Sequence, residues 1–208
     1  MRDLVILGAG GHGRETLDIV EAINAARPSW HFVGFIDDGE VVADRLERRH
    51  VETLGGTDVM ENLDAAYVIG IGSSAVRADL DAKLTAWGRV PMTLVHPLAS
   101  VASDNRLGDG VLLAAGARIT TNVTLGRHAH LNVNAVVSHD CEVGAYSTLS
   151  PGVHLNGGVR LGQRVFLGTG AIVTPGVSIG DDAIIGAGSV VVRDVPEGVT
   201  VTGVPGRW

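Results

Sequence analysis

Residues 95–118 read VHPLAS VASDNR LGDGVL LAAGAR, and the sixes run on unbroken to Val190 through LGTGAI (167–172), VTPGVS (173–178), IGDDAI (179–184) and IGAGSV (185–190). All sixteen first positions are Val, Leu or Ile. With about half of residues apolar, such a run arises by chance in roughly one frame in 65,000. The fifth position is nearly as regular: it is Ala, Val, Cys or Ser from Ala99 to Ser189, with Asn105 the one misfit. A period of six matches neither the 3.6 of a helix nor the 2 of a simple strand, so this stretch is a repeat architecture.

Sorting the same residues by eighteen gives the shape. Hexads starting at 107, 125, 143, 161 and 179 carry Gly second (Gly108, Gly126, Gly144, Gly162, Gly180). Those starting at 113, 131, 149, 167 and 185 carry Gly or Asn fourth (Gly116, Asn134, Gly152, Gly170, Gly188). The third set carries Asn122, Asp140, Gly158, Gly176 and Asp194 in that slot. Gly, Asn and Asp tolerate positive φ, so three columns of turn chemistry predict a triangular prism with three short strands per coil. Sixteen hexads make about 5.3 coils, a stack roughly 25 Å tall at ~4.8 Å per coil. From Val191 onward, with Pro196, Gly203 and Pro205, the chain is expected to leave the prism and cap its open end.

The rest of the composition narrows the class. In 208 residues, 45% are apolar but only 4% aromatic, and Gly numbers 29, which suits an interior of aliphatic ladders with glycine at the corners. A net charge of -7 without a basic stripe argues against nucleic acid as a partner. The single cysteine excludes an internal disulfide and fits a reducing compartment. No stretch approaches the roughly 20 apolar residues of a membrane span, and the amino terminus lacks a leader pattern, so a soluble cytoplasmic protein is expected.

Ahead of the repeats, Leu4–Leu7 reads as a buried strand that runs into Gly8-Ala-Gly-Gly-His-Gly13. Leu17, Val20 and Ile23 follow at helical spacing until Arg27-Pro28. His31–Ile36 is a second strand ending at Asp37-Asp38-Gly39. Tyr67–Gly72 is a third, with Ser73 or Ser74 placed to cap a helix from Ala75 to about Trp87. Strand, helix, strand, helix predicts an α/β head, a small Rossmann-like parallel sheet, over residues 1–90, followed by the repeat domain over 91–208. Gly8, Gly10 and Gly13 match the G-x-G-x-x-G spacing of phosphate-binding turns, in which glycine admits a phosphate to the helix amino terminus. A tight turn without a ligand would read the same. About 90 residues make half of a nicotinamide-binding domain, so a mononucleotide-sized ligand fits better.

The histidines sort by column. His139 sits third in its hexad, at a corner where side chains point away from the aliphatic interior, and Asp140 is beside it. A carboxylate against an imidazole fixes its tautomer and supports general base catalysis, whereas a solvated corner pair would look alike in sequence. His130 and His154 are sixth in their hexads and expected to face outward as surface residues, His130 stacking beneath Thr148. His31, His50, His96 and His128 have no constellation around them. Cys141 is a fifth-position residue, inward and small, and reads as core packing rather than a nucleophile. No metal-ligand spacing is present.

The repeats resemble the left-handed parallel β-helix of the hexapeptide-repeat acyltransferases. GAGGHG after the first strand, Asp37-Asp38, the Val-Ile-Gly-Ile-Gly-Ser strand and Val-Ser-His139-Asp140 together resemble one group within it. That group comprises the sialic-acid O-acetyltransferases and the nucleotide-amino-sugar N-acetyltransferases. The resemblance implies acetyl-CoA as co-substrate without a metal, a homotrimer with active sites between prisms, and acetylation of a UDP- or GDP-linked 4-amino sugar. It makes His139 the catalytic base and Asp140 its tuning acid. Gly10, Gly11, His12, Asp37, Asp38 and Gly72 would hold the sugar nucleotide, and Thr148, Thr169 and Ala187 would contact the coenzyme. At Thr148 many members carry a second histidine that contacts the acetyl carbonyl; here Thr148, a backbone N–H or His130 would take that part. The closing Gly203-Val-Pro-Gly-Arg-Trp208 is similar to the family's terminal signature except at Gly206. O-acetylation of a sugar hydroxyl and a non-catalytic trimeric nucleotide-binding scaffold are the alternative readings.

Overall fold

Leu4–Leu7, fully out of solvent, forms the inner part of β1 (Arg2–Leu7). β1 is the central strand of a three-stranded parallel sheet with β2 (Trp30–Ile36) on one side and β3 (Ala66–Ile69) on the other. Strands buried on both faces need continuous apolar runs, which LVIL and AYVI supply. The crossover α1 (Gly11–Ala26) buries Leu17, Ile19 and Val20. A short α2 (Ala43–Glu47) and a single 3₁₀ turn (Thr57–Glu61) precede β3, and α3 (Ser74–Ala86) follows it. Ser73 is the cap of α3, its hydroxyl accepting from the Val76 N–H, so the chain enters that helix where the sequence places it. The computed structural model describes residues 1–208, and this head belongs to the first of two units, Met1–Leu94 and Val95–Trp208.

The second unit is a left-handed parallel β-helix. Its two-residue strands stack into sheets of seven, six and five strands. Each residue pairs with the one eighteen further on: Leu131 with Leu149, Val137 with Leu155, Val143 with Leu161. First and fifth positions fill the interior as a single aliphatic core from Val111 to Val201, including Cys141. The polar fifth positions are satisfied by backbone. The Ser147 hydroxyl donates to the Gly162 carbonyl, and the Asn105 amide donates to the Ala102 and Thr120 carbonyls while accepting from the Val123 N–H.

Two expectations about the prism are corrected. Every fourth position from Gly110 to Gly188 has positive φ, including His128, Tyr146, Arg164 and Asp182 on the column that carries glycine second. The second-position glycines are therefore not the turn residues. They are required by close approach: a Cβ on Gly126 would lie 2.6 Å from the Ala145 nitrogen and 2.9 Å from its Cα, and one on Gly108 would lie 2.7 Å from the Arg127 nitrogen. The left-handed residues beside them, strained by about 1–2 kcal/mol each, hold one another. The His128 and Tyr146 rings stack at 5.8 Å and 11°, and Arg164 meets Asp182 through two 2.7 Å hydrogen bonds.

The chain also stays in the prism past Val191. Val195 pairs with Ile179 and Val201 with Ile185, both at an offset of sixteen. Dropping two residues from this coil breaks the hexad frame while keeping Val195 and Val201 buried, so the coil does not show in a period-six reading. Only Thr202–Trp208 turns back, through Thr202–Arg207 pairing and the Gly206 N–H on the Val190 carbonyl. A Cβ on Gly206 would lie 2.7 Å from Val201 Cγ1, which accounts for glycine at this place.

Candidate active site

In the head, the turn between β1 and α1 and the segment after β3 enclose a cavity of about 300 Å³ lined by Gly8, Gly10, Gly11, His12, Asp37, Gly70, Ile71 and Gly72. Its glycines divide into two kinds. Gly8 has φ +99°, a Cβ on Gly13 would collide with the Gly8 carbonyl, and one on Gly70 would lie 2.7 Å from Gly13 Cα. Gly10, Gly11 and Gly72 have ordinary φ and nothing within 4 Å of an added Cβ, a combination no other glycine of the chain shows. The fold does not require glycine at these three positions, and all three open on the same cavity. That is the pattern expected where a ligand must approach the backbone.

The acidic pair after β2 splits its work. Asp37 closes the turn, one carboxylate oxygen accepting from the Ala9 N–H at 2.7 Å and the other from the Gly39 N–H at 2.8 Å. Asp38 accepts from the Thr57 hydroxyl (2.5 Å) and N–H (2.6 Å), which hold its carboxyl below the usual range. Both line an adjoining cavity of about 140 Å³ with Leu7, Ile36, Val76 and Leu80. His12 is pushed below its ordinary pKa by burial first and by the Arg77 charge second, against the opposing pull of Glu15, so it is neutral at pH 7.

Arg77, which the sequence did not single out, is fully buried on α3 and donates to the carbonyls of Ile71 (2.8 Å) and Gly72 (2.9 Å). Burial lowers its pKa to about 10, leaving it cationic. It ties down the Ile71–Gly72 wall of the cavity. Nothing in the pattern AVRAD distinguishes this arginine from a solvated one.

In the prism, His139 and Asp140 stand at a corner with 62% and 56% of their side chains exposed. His139 Nδ1 lies 2.8 Å from Asp140 Oδ2. A carboxylate can only accept, so with the ring neutral Nδ1 carries the proton and Nε2 presents a lone pair. The other oxygen, Asp140 Oδ1, accepts from Asn122 Nδ2 at 2.7 Å; that bond first and His139 second depress the Asp140 pKa. Two positions along the chain, Cys141 is fully buried, its thiol 3.1 Å from the Asn156 carbonyl and its pKa raised chiefly by desolvation. A buried, protonated thiol is no nucleophile.

The expectation of an outward-facing surface residue holds for His154, whereas His130 keeps the outward direction but not the exposure. His130 pairs in the ladder with Leu112 and Thr148 as its column predicts, yet all three are buried, at 0%, 2% and 3% exposure. A sixth position points away from the prism interior, which does not by itself put it in water. His128 is likewise buried, on the Tyr146 ring. Thr169 and Ala187 are exposed and stack one coil apart on a different corner from His139. No group of three or more His, Cys, Asp or Glu side chains is arranged to hold a metal ion, and no helix is long and apolar enough to cross a membrane.

Comparison with known proteins follows the same division. Residues 3–84 match the PglD N-terminal domain, and residues 158–193 match the bacterial transferase hexapeptide (six repeats). A GDP-perosamine N-acetyltransferase from Escherichia coli O157:H7 is 33% identical over 69% of this chain, a match that spans 65% of that relative's length. Among solved structures, PerB from Caulobacter crescentus in complex with CoA and GDP-perosamine is 37% identical, with a TM-score of 0.87 over 99% of this chain and 96% of that one. Further structures of the Caulobacter enzyme with the same two ligands carry a single histidine replaced by asparagine or alanine. The acetyltransferase domain of PglB from Neisseria gonorrhoeae, in complex with acetyl coenzyme A, is 28% identical with a TM-score of 0.87 over 99% of this chain and 98% of that one.

Proposed function

The chain belongs to the hexapeptide-repeat sugar N-acetyltransferases with a PglD-type amino-terminal domain, and on that premise we propose that it acetylates the amino group of a GDP-linked 4-amino sugar from acetyl-CoA. The observation that carries the chemistry is the His139–Asp140 pair, exposed at a corner with Nδ1 engaged by a carboxylate and Nε2 free. The sugar amine attacks the thioester carbonyl, a new C–N bond forms, and the C–S bond breaks to release the CoA thiolate. His139 Nε2 takes the proton the amine loses and returns it to the leaving sulfur. Transfer is direct, because the one cysteine is buried and protonated.

The head supplies the sugar nucleotide site. Gly10, Gly11 and Gly72 let the phosphates reach backbone N–H groups at the start of α1, and neutral His12 serves as a hydrogen-bonding group rather than a countercharge. Asp37 and Asp38, already fixed by backbone and by Thr57, border the adjoining cavity for the nucleoside. Thr169 and Ala187 serve the coenzyme, and Thr148 lies in the buried outward column. Thr169 and Ala187 occupy a different corner from His139, an arrangement that suits a coenzyme held between two prisms of a homotrimer. Acetyl-CoA as donor and a lone reduced cysteine fit a cytoplasmic enzyme.

Release of CoA with GDP- and UDP-linked 4-amino sugars, each compared with its 4-hydroxyl counterpart, tests the reading. Turnover is expected with the amino sugar and not with the hydroxyl form. Acetylation of the hydroxyl form at an equal rate, or no turnover with any amino sugar nucleotide, contradicts it.

A further inference from the structure

A histidine and an aspartate that are both more than half exposed gain little from their mutual attraction, and each gives up rotamer freedom to hold one geometry. What fixes them comes from the coils on either side. One coil before His139, the Thr121 hydroxyl at 2.7 Å and the Asn122 N–H at 3.1 Å both donate to Oδ2 of Asp104, which lies a further coil back. Asn122 then donates its amide to Asp140 Oδ1 at 2.7 Å, which leaves Oδ2 for His139 Nδ1 at 2.8 Å. One coil after, Gly157 occupies the place stacked on His139. A Cβ there would lie 2.6 Å from Nε2 and 3.1 Å from Nδ1, so the imidazole rests where any side chain would sit. The Gly158 N–H accompanies this by donating to the His139 carbonyl at 2.9 Å. Asp140, and beyond Asn122 Asp104, are the charged groups on this corner below the ring, whereas the coil above contributes two glycines and no charge.

We propose that Asn122 is a positioning residue for the transfer reaction, aiming the Asp140 carboxylate at His139 Nδ1, and that Gly157 is the seat that holds the ring with Nε2 turned outward. This inference rests on the reading of His139 as the base. Asn122 is not explained by backbone geometry alone. Its φ of +56° suits glycine equally well, and Gly158 and Gly176 take the same slot in the coils above. That equivalence makes Asn122→Gly a clean removal of the amide without backbone strain. Asn122→Asp keeps the shape and the tolerance of positive φ, but replaces the donor by a second carboxylate facing Asp140.

The test uses the full chain and two readouts. Nitrogen-15 NMR of the neutral His139 ring reports which nitrogen is protonated, and steady-state kinetics with acetyl-CoA and the amino sugar nucleotide reports turnover. The parent is expected to hold the Nδ1–H tautomer. Asn122→Gly is expected to give a mixture with Nε2–H and to lower kcat about tenfold or more, as a base that spends part of its time in the wrong tautomer must, with KM for acetyl-CoA unchanged. Asn122→Asp is expected to fall further. Gly157→Ala is expected to lower kcat at an unchanged thermal midpoint, since its φ is ordinary and the displaced group is an exposed ring. If Asn122 served only the turn, the Gly and Asp variants would match the parent in tautomer and turnover, and that result overturns the inference. A parental tautomer alongside reduced turnover overturns it too. A shifted tautomer with parental turnover supports the positioning role and instead removes His139 as the base.

Discussion

Replacing Gly126 by alanine probes the packing of the prism at a single atom. The added Cβ would sit 2.6 Å from the Ala145 nitrogen, and an ordinary contact begins near 3.4 Å, so neighbouring coils must part locally by 0.8 Å. The atoms in the way are backbone and cannot rotate aside. Two ladder hydrogen bonds cross this place, from the Gly126 N–H to the Val143 carbonyl at 2.7 Å and from the Tyr146 N–H to the Arg127 carbonyl at 2.8 Å. Stretched by that distance, both reach the limit of a hydrogen bond. Two such losses at about 1 kcal/mol each, with at least about 1 kcal/mol for forced overpacking, give about 3 kcal/mol. For a chain of this size that corresponds to a drop of roughly 6–12 °C in the thermal midpoint. Gly152→Ala is the control: its φ is +68° and nothing lies within 4 Å of its Cβ, so it costs only the backbone strain of about 1–2 kcal/mol. Calorimetry of both variants decides the matter. A Gly126→Ala midpoint no lower than that of Gly152→Ala would refute close approach as the reason for the second-position glycines.

Other expectations follow from the head and the core. Arg77→Leu leaves the Ile71 and Gly72 carbonyls without their charged donor and is expected to destabilise by about 2 kcal/mol or more, raising KM for the sugar nucleotide more than for acetyl-CoA; equal changes in the two constants contradict its place in the cavity wall. His12 has a folded pKa below its ordinary 6.5, so the unfolded chain binds the extra proton. Its contribution to stability is complete above pH 6.5 and is lost as pH falls toward the folded value. Melting curves from pH 5 to 7.5 should therefore show the parent gaining on His12→Gln as pH rises, and parallel curves count against a buried neutral imidazole. Asp38 has the carboxylate sign: its contribution is present above its ordinary 3.8 and disappears at lower pH, so Thr57→Val should shrink the loss of stability on acidification below about pH 4. Cys141→Ala, a small change at an inward position, is expected to keep turnover within about threefold of the parent for a residue outside the chemistry; loss of all activity in a folded variant would restore the thiol as a nucleophile.

The sequence and the structure agree most closely where side-chain direction alone decides the outcome. First and fifth positions fall inside because period six with a stacking offset of eighteen leaves them no other side, and the buried run from Val111 to Ile185 follows. Ser73 as a cap and the Gly8-to-Gly13 turn are equally local and equally legible. The misreadings concern distance and frame. Gly126 and Gly144 signal that a turn is near, but whether glycine answers to φ or to a backbone neighbour depends on coil separation, which a column of letters does not carry. Val195 and Val201 were hidden by a coil two residues short. His130 shows that pointing outward and being exposed are different statements. Of the candidate site, His139, Asp140 and Gly10 were readable by type and spacing, while Gly11 and Gly72 followed only from the family resemblance. Arg77, Thr57, Asn122 and Gly157 were not readable, because each acts on a functional group from another element or another coil. Gly157 in particular works through an atom it lacks. The signal for Asn122 and Gly157 lay in the same sorting by eighteen, at the places directly before Asp140 and after His139.

The central claim is that His139 Nε2 removes the proton from the attacking amine. The most direct measurement is single-turnover acetyl transfer from acetyl-CoA to a GDP-linked 4-amino sugar by the parent and by His139→Ala, with acetyl-CoA affinity measured on both proteins. An exposed corner side chain is lost and no core is disturbed, so the variant is predicted to fold and bind acetyl-CoA as the parent does while the transfer step slows by about 10² or more. A transfer rate within a few-fold of the parent in that folded, coenzyme-binding variant would contradict it.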